Sequence, residues 1–133
     1  MRERARATVI VRTDQGVLLV GDAFGLILLP SGGFNHGELP IAAAAREIHE
    51  ETRLVAVSMR FLFHHESLTN LHHVYFCEAE GMPMALDDAE TVLFLDRPAT
   101  ESSLNLSPAT RTILSRFEAW HQSSMKIGVS GNV

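Results

Sequence analysis

The segment from Gly32 to Leu54 constrains the fold of this chain more than any other part of the sequence. It opens with a glycine-rich loop and continues into a stretch where Glu47, Glu50 and Glu51 recur at helical spacing. Because residues three or four positions apart share one face of a helix, the three carboxylates are predicted to lie together. A flexible glycine loop beside a clustered acidic face suits the binding of a metal ion together with phosphates.

Composition places the chain among single-domain globular proteins. Its 133 residues fit one domain, with 46% apolar and 20% charged residues. No apolar run is long enough to span a bilayer, and the basic start Met1–Arg6 leads into strand-like sequence instead of a signal-peptide core. The single cysteine, Cys77, is expected to be a small buried residue, and its lack of a disulfide partner favours a reducing cytoplasm.

The formal net charge of −5 argues against binding to a nucleic-acid backbone. A phosphorylated small molecule is still compatible with this charge, since a bound divalent cation reverses the local field.

Two adjacent histidine pairs, His64–His65 and His72–His73, lie in strand-like sequence. Neighbouring strand residues point to opposite faces of a sheet, so neither pair is expected to chelate one ion. We expect these side chains to face solvent or the edge of a substrate site.

The pattern along the chain predicts several strands and two well-separated helices, which indicates an α/β layer fold. Pro40 suits the first turn of one helix, and the pair Ser107–Pro108 predicts the start of the other. The predicted strands, rich in β-branched and apolar residues, are 7–13, 17–20, 26–29, 55–63, 71–79 and 91–95.

The first helix is expected to pack against the rest of the molecule through a narrow, mostly apolar stripe. That stripe comprises Ile41, Ala44, Ala45, Ile48 and Thr52. At ~100° per residue, the centre of the stripe lies more than a quarter turn from the acidic positions. The acids are therefore expected to point away from the packed side of the helix.

An acidic helix face is often simply solvated, and this alternative applies here. Arg46 and Glu50 lie four residues apart, and such a surface pair is worth ~0.2–0.5 kcal/mol. Glu47 and Glu51, however, are like charges at the same spacing, which costs a similar amount without a cation. The local sequence leaves both a solvated face and a metal site open.

The wider spacing resembles the signature of the Nudix hydrolase family, G-x5-E-x7-R-E-U-x-E-E-x-G-U, where U is a bulky apolar residue. Eight of its nine specified positions match over 23 residues. The matching positions are Gly32, Glu38, Arg46, Glu47, Ile48, Glu50, Glu51 and Leu54.

Both ends of the predicted helix depart from expectation. The family's glycine near the helix C-terminus is Arg53 here, which either takes a left-handed conformation at a cost of about 1 kcal/mol or continues the helix. At the N-terminus, Leu39 offers no capping side chain. Neither departure removes a proposed ligand.

The resemblance implies a metal site for Mg²⁺ or Mn²⁺. Glu47, Glu50 and Glu51 match the family's metal-binding carboxylates, and a backbone carbonyl of Ser31 or Gly32 completes the set.

The resemblance also implies supporting and catalytic roles. Arg46 matches the arginine that orients a glutamate by ion pairing, and Glu38 matches the glutamate that supports the loop–helix junction or a metal-bound water. Family members differ in which carboxylate is the general base, and Glu51 or Glu47 are the first choices.

Further candidates lie outside the carboxylate cluster. Asp87, Asp88 and Glu90 precede the last predicted strand and are downstream candidates for the base, with Asp88 and Glu90 also candidate substrate contacts; a plain acidic turn is the alternative. In the glycine loop, Gly33 and Phe34 are candidate substrate contacts, and packing of Phe34 is the alternative to stacking on a base.

For the whole chain, the resemblance implies a Nudix-type α/β/α sandwich with a mixed central sheet and two main helices. Residues 1–122 form the domain, and residues 123–133 are expected to be a flexible tail. The implied activity is metal-dependent cleavage of a diphosphate linkage in a nucleoside diphosphate linked to another group, most plausibly a nucleoside triphosphate.

The alternative is a catalytically silent Nudix-fold module that binds a nucleotide or a partner. Either way the expected partner is a nucleotide-type small molecule in the cytoplasm, without membrane association. Since many relatives are dimers, a homodimer is also open.

Overall fold

The computed structural model describes the backbone of residues 4–131 and the side chains of residues 4–121. The strands within this part are β1 (Arg4–Thr13), β2 (Gly16–Gly21), β3 (Ile27–Leu28), β4 (Ser31–Gly33), β5 (Val55–Glu66), β6 (Asn70–Glu80) and β7 (Thr91–Leu95). The helices are α1 (Pro40–Thr52), a short 3₁₀ helix (Ala99–Glu101) and α2 (Pro108–Gly131).

Strand β1 is the centre of a mixed sheet. The strand order is β3-β2-β1-β6-β5, with β4 pairing additionally with β1 and β7 with β2. β1 and β6 run parallel over eight residue pairs, and the remaining strand pairs of the described chain are antiparallel. The parallel pair requires a long crossover, which the segment carrying α1 provides.

The sheet separates two hydrophobic cores. Alternate residues of β1 point to opposite faces, so Ala7 and Val9 pack under α1 while Ile10 packs under α2. From α1, Ala44 and Ile48 complete the first core, and the second is completed from α2. This α/β/α layering confirms the predicted fold class.

Helix α1 packs through a face slightly different from the predicted stripe. Ala44, Ile48 and Thr52 are buried as predicted, but Ile41 is 46% exposed, so its assignment to the stripe is wrong. Ala43 is buried instead, and it packs with Ala44 and Ile48 in the core on this side of the sheet.

Both ends of α1 show the departures that the sequence predicted. Leu39 precedes Pro40 without a capping side chain, as predicted. Arg53 takes the left-handed conformation, with φ 67°, and its N–H donates to the carbonyl of His49. The chain therefore ends α1 with the turn that the family's glycine would make, despite the arginine Cβ.

The sequence pattern did not predict β4, a strand that lies at the glycine-rich segment. Residues 31–33 were expected to be loop, but they pair with Arg6, Ala7 and Thr8 of β1 as β4. Glycines disfavour strands locally, so only this long-range pairing defines β4.

The predicted flexible tail 123–133 lies outside the residues whose side chains are described. The backbone of α2 is helical through Gly131, and flexibility of the tail stays a prediction. In the described part of the chain, every helix is too short or too polar to cross a membrane.

Candidate functional site

A cavity of about 350 Å³, here named the acidic cavity, lies where α1 faces β4. Acidic side chains dominate its polar lining, which includes all three carboxylates of the predicted metal site. The lining residues are Arg6, Val20, Gly21, Asp22, Leu28, Leu29, Ser31, Gly32, Gly33, Glu47, Glu50, Glu51, Asp87, Asp88 and Ala89.

Gly32 and Glu47 are fitted closely against each other. Gly32 is buried on β4, and a Cβ at this position would overlap the carboxylate of Glu47. Glu47 is itself only 9% exposed, although an acidic side chain usually avoids burial. The absence of a side chain at Gly32 is therefore what leaves room for this carboxylate.

Arg46 binds three glutamates at once. It forms a two-pronged pair with Glu38, in which Nε and Nη2 each lie 2.8 Å from a carboxylate oxygen. Its Nη1 donates to Glu47 at 2.8 Å and to Glu50 at 3.1 Å, and Nη2 also donates to the Gly33 carbonyl at 2.9 Å. All five N–H groups of the guanidinium are thereby used.

Glu38 fixes the start of the loop that precedes α1. Its Oε1 accepts a hydrogen bond from the backbone N–H of Asn35 at 2.9 Å. The hydrogen bonds from Arg46, and then that from Asn35, hold the pKa of Glu38 down at about 2. Glu38 is therefore ionised at neutral pH, and it links the loop to the helix.

Glu51 lies in a different electrostatic environment. Burial, together with the proximity of Glu47, raises its pKa from 4.5 to about 8, although the Ser31 N–H donates to its Oε1 at 3.1 Å and Arg6 opposes the shift. A buried acid of this kind is a candidate proton acceptor or cation ligand.

The segment before β7 folds over the C-terminal end of α1. Leu86 N–H donates to the Glu51 carbonyl at 3.0 Å. This contact brings Asp87 and Asp88 to the acidic cavity. Glu90 does not line the cavity; its N–H donates to the Gly21 carbonyl at 2.8 Å.

The donor set fits a hard divalent cation. Among residues 4–121, no three metal-ligating side chains converge on one point, and Arg46 donates hydrogen bonds to Glu47 and Glu50. The carboxylates nonetheless share one cavity, and the space at Gly32 is shaped around Glu47. Carboxylate and carbonyl oxygens are the ligands that Mg²⁺ and Mn²⁺ prefer.

The two loop residues predicted to contact substrate have different positions. Gly33 lines the acidic cavity. Phe34 does not; it packs against the α1 core, with its ring centroid 5.2 Å from that of His73. The packing alternative therefore describes Phe34 in this conformation.

A second cavity of about 350 Å³, here named the side cavity, lies next to the first. The two share Arg6, Leu28, Leu29 and Ser31. The remaining residues, which mix hydroxyl and apolar groups, are Thr8, Ser67, Leu68, Thr69, Asn70, His72, Ser107, Pro108, Ala109, Thr110 and Ile113.

The two histidine pairs lie on the neighbouring strands β5 and β6. They pair across strands on opposite faces, His64 with His73 and His65 with His72. His72 was expected to face solvent or a substrate edge. It does not face solvent, because it is buried with Nδ1 2.8 Å from Thr8 Oγ1, and it lines the side cavity. Burial, with nearby His65 and Arg6, lowers the pKa of His72 to about 4, so the ring is neutral.

Sequence reasoning missed two charged residues of the site, Arg6 and Asp22. Arg6 belonged to a basic N-terminus with no assigned role. Charged and apolar residues alternate around Arg6, and this alternation could have indicated a strand there. The partner strand β4, however, was not predicted. Asp22 uses Oδ1 to accept from the backbone of Phe24 and Leu26, so it shapes a turn at the rim of the cavity.

Comparison with known proteins gives a consistent result. The sequence model of the NUDIX domain matches residues 1–117. A crystal structure described as a nudix hydrolase family member from Chromobacterium violaceum is 31% identical, with a TM-score of 0.82, and the match covers 98% of this chain and 92% of that one.

Two more distant structures share the fold. A MutT NUDIX hydrolase from Burkholderia pseudomallei is 21% identical, with a TM-score of 0.74 and coverage of 86% and 97%. The NUDIX domain of Shewanella oneidensis NrtR, solved with ADP ribose, is 16% identical, with a TM-score of 0.74 and coverage of 90% and 88%. Comparison with curated proteins returned no match.

Proposed function

The chain belongs to the Nudix hydrolase family, and we propose that it is a Mg²⁺- or Mn²⁺-dependent pyrophosphohydrolase. Its proposed substrate is a nucleoside diphosphate linked to another group, with a nucleoside triphosphate as the first candidate. The observation that carries this proposal is the acidic cavity, where buried Glu47 lies against the side-chain-free Gly32 and Glu51 accepts a hydrogen bond from the neighbouring Ser31 N–H.

The carboxylates of Glu47, Glu50 and Glu51 would hold the cation, together with the carbonyl of Gly32. When bound, the cation offsets the negative charge of the diphosphate and lowers the pKa of a coordinated water. Arg46 keeps the side chains of Glu47 and Glu50 near these positions through its hydrogen bonds.

Glu51 is the proposed general base. Its carboxylate lines the acidic cavity, where in its ionised form it would take the proton of the water that attacks phosphorus. Glu47 is the second choice because its carboxylate already accepts a hydrogen bond from Arg46 Nη1 at 2.8 Å.

The side cavity is the proposed site for the nucleoside half of the substrate. Leu28, Leu29 and Ile113 give it apolar walls, and Ser107 and Thr110 line it where α2 begins. This arrangement supports a nucleotide-type substrate without specifying the base. The buried, unpaired Cys77 supports a cytoplasmic location.

A binding module without catalysis is the second candidate. The specific observation in its favour is that Arg46 already neutralises Glu47 and Glu50, so a cation has to displace or share these contacts. Hydrolysis assays separate the two functions.

The experiment is a substrate screen. Nucleoside triphosphates, ADP-ribose and dinucleoside polyphosphates are incubated with the protein at mildly alkaline pH, with Mg²⁺ or with a chelator, and released phosphate or pyrophosphate is measured. We expect Mg²⁺-dependent turnover of at least one triphosphate. Binding of these nucleotides without any turnover would favour the binding module.

The first prediction concerns the carboxylates. Glu50→Gln or Glu51→Gln is expected to lower kcat by at least ~100-fold while circular dichroism shows an intact fold, because a ligand or base is lost. Glu101→Gln is the control, since Glu101 is exposed and lines neither cavity. Near wild-type rates in either site variant would contradict the metal assignment.

A further inference from the structure

Arg6 lies at the boundary of the acidic and side cavities and lines both. Its Nε donates to Ser31 Oγ at 3.1 Å, which holds the guanidinium on β4. Within residues 4–121, its terminal nitrogens donate to no protein acceptor. A guanidinium in this state presents the planar pair of N–H donors that fits two oxygens of a phosphate.

The charges around Arg6 decide where a phosphate group is attracted and where it is repelled. Arg6 is the one cationic side chain among the described residues that line the acidic cavity, and the cavity also contains six carboxylates. A phosphate deep in that cavity is repelled unless a cation is bound, whereas a phosphate at the boundary is attracted to Arg6 with or without the cation.

We propose that Arg6 is a specificity-determining residue that binds the phosphate remaining on the nucleoside. This inference rests on the proposed function, with the nucleoside in the side cavity and the departing phosphates in the acidic cavity. Arg6 then sets how far the phosphate chain enters the acidic cavity, and so which phosphorus is attacked. The ligand class that it recognises is a nucleoside monophosphate unit.

The hydrogen bonds around Ser31 explain how the guanidinium keeps this position. Ser31 Oγ accepts from Arg6 and lies 3.0 Å from Thr8 Oγ1, which in turn contacts buried His72. The Ser31 N–H also donates to Glu51. One residue therefore connects Arg6, the wall of the side cavity and the proposed base.

The test measures binding without metal, so that it does not depend on turnover. Calorimetry in a chelator gives the Kd of each common nucleoside monophosphate and of the matching nucleoside. We expect wild-type protein to bind the monophosphate more tightly than the nucleoside. Arg6→Gln should weaken monophosphate binding by about 10- to 100-fold and leave nucleoside binding unchanged.

Two variants serve as controls. Arg6→Lys keeps the charge but not the planar pair of donors, so it should restore part of the affinity. Arg4→Gln removes a charge from the same face of β1, two residues away, at an exposed position that lines neither cavity. It should leave both Kd values unchanged.

The outcomes separate this inference from the proposed function. If wild-type protein gains no affinity from the phosphate, or if Arg6→Gln weakens nucleoside and monophosphate equally, the assignment of Arg6 is overturned. If monophosphate binding depends on Arg6 but the substrate screen finds no turnover, Arg6 is still the phosphate-binding residue and the hydrolase proposal fails. Turnover with a KM that is insensitive to Arg6→Gln overturns the inference alone.

Discussion

Two residues of the site allow acidic side chains to lie close together, one through its charge and the other through its missing side chain. Arg46 uses all five N–H groups on Glu38, Glu47, Glu50 and a carbonyl. Gly32 contributes by having no side chain where the Glu47 carboxylate lies. In both cases the physical effect is to keep acidic groups close together despite their repulsion.

Gly32→Ala should disrupt the site directly, because the added Cβ would overlap the Glu47 carboxylate. We expect a lower thermal midpoint and at least ~10-fold weaker Mg²⁺ binding, since an overpacked site costs about 1–3 kcal/mol. Gly33→Ala is the matched control: its Cβ meets no atom within 4 Å, so the midpoint should stay unchanged. Equal effects of the two variants would exclude the steric explanation.

The raised pKa of Glu51 should make metal-free stability depend on pH. Its pKa is about 8 in the folded protein and 4.5 ordinarily, so between these values the unfolded chain has released a proton that the folded protein keeps. The free energy of unfolding should therefore fall as pH rises from about 4.5 to 8.

Urea unfolding in a chelator, for wild type and Glu51→Gln, measures this dependence. Subtracting the two curves isolates Glu51 from other titrating groups, including His72. A difference between the curves that stays constant across this pH window would show that Glu51 has an ordinary pKa.

At the scale of elements, the loop, β4 and α1 form one unit that carries the site. The pairing of β4 with β1 fixes Ser31 and Gly32, and side chains of α1 contact these two residues. The two termini of α1 have no help from favourable capping residues: Leu39 has no polar side chain, and Arg53 adopts φ 67°. Tertiary contacts therefore hold this helix in place.

Arg53→Gly should stabilise the protein by up to about 1 kcal/mol, because glycine adopts the left-handed conformation without a Cβ penalty. Chemical denaturation at pH 7 measures the change. Arg53→Ala is the control, since it removes the guanidinium but keeps the Cβ, and it should not stabilise. A loss of stability with glycine would mean that the contact of Arg53 with Met84 matters more than backbone strain.

At the scale of the whole molecule, the central sheet brings distant segments to one site. β1 supplies Arg6, β4 supplies Gly32, α1 supplies the carboxylates, and the segment before β7 supplies Asp87 and Asp88. The two cavities thus depend on the complete fold, and a ligand that binds them should stabilise the molecule as a whole.

Saturating Mg²⁺ should therefore raise the thermal midpoint of the wild-type protein by about 5–10 °C, because it binds the folded state and reduces the repulsion among the carboxylates. Differential scanning fluorimetry over a Mg²⁺ series measures the shift. In a Glu50→Gln/Glu51→Gln double variant the shift should disappear. An equal shift in both proteins would indicate a non-specific salt effect.

The sequence by itself determined the features that depend on local spacing. Residue type placed the main strands, and the prolines of the first turns placed both helix starts. The interval from Gly32 to Leu54 predicted the family, and helical spacing predicted that Glu47, Glu50 and Glu51 share one site. Such features follow from neighbours a few residues apart, so the chain alone specifies them.

Only the tertiary structure decided the remaining features. β4 exists because glycine-rich residues pair with β1, and His72 is buried because β6 runs beside β1. Arg6 reaches both cavities for the same reason. Ile41 is 46% exposed although its spacing predicted a place in the packed stripe. These outcomes depend on contacts between segments far apart in sequence, where strand pairing and burial override local preference.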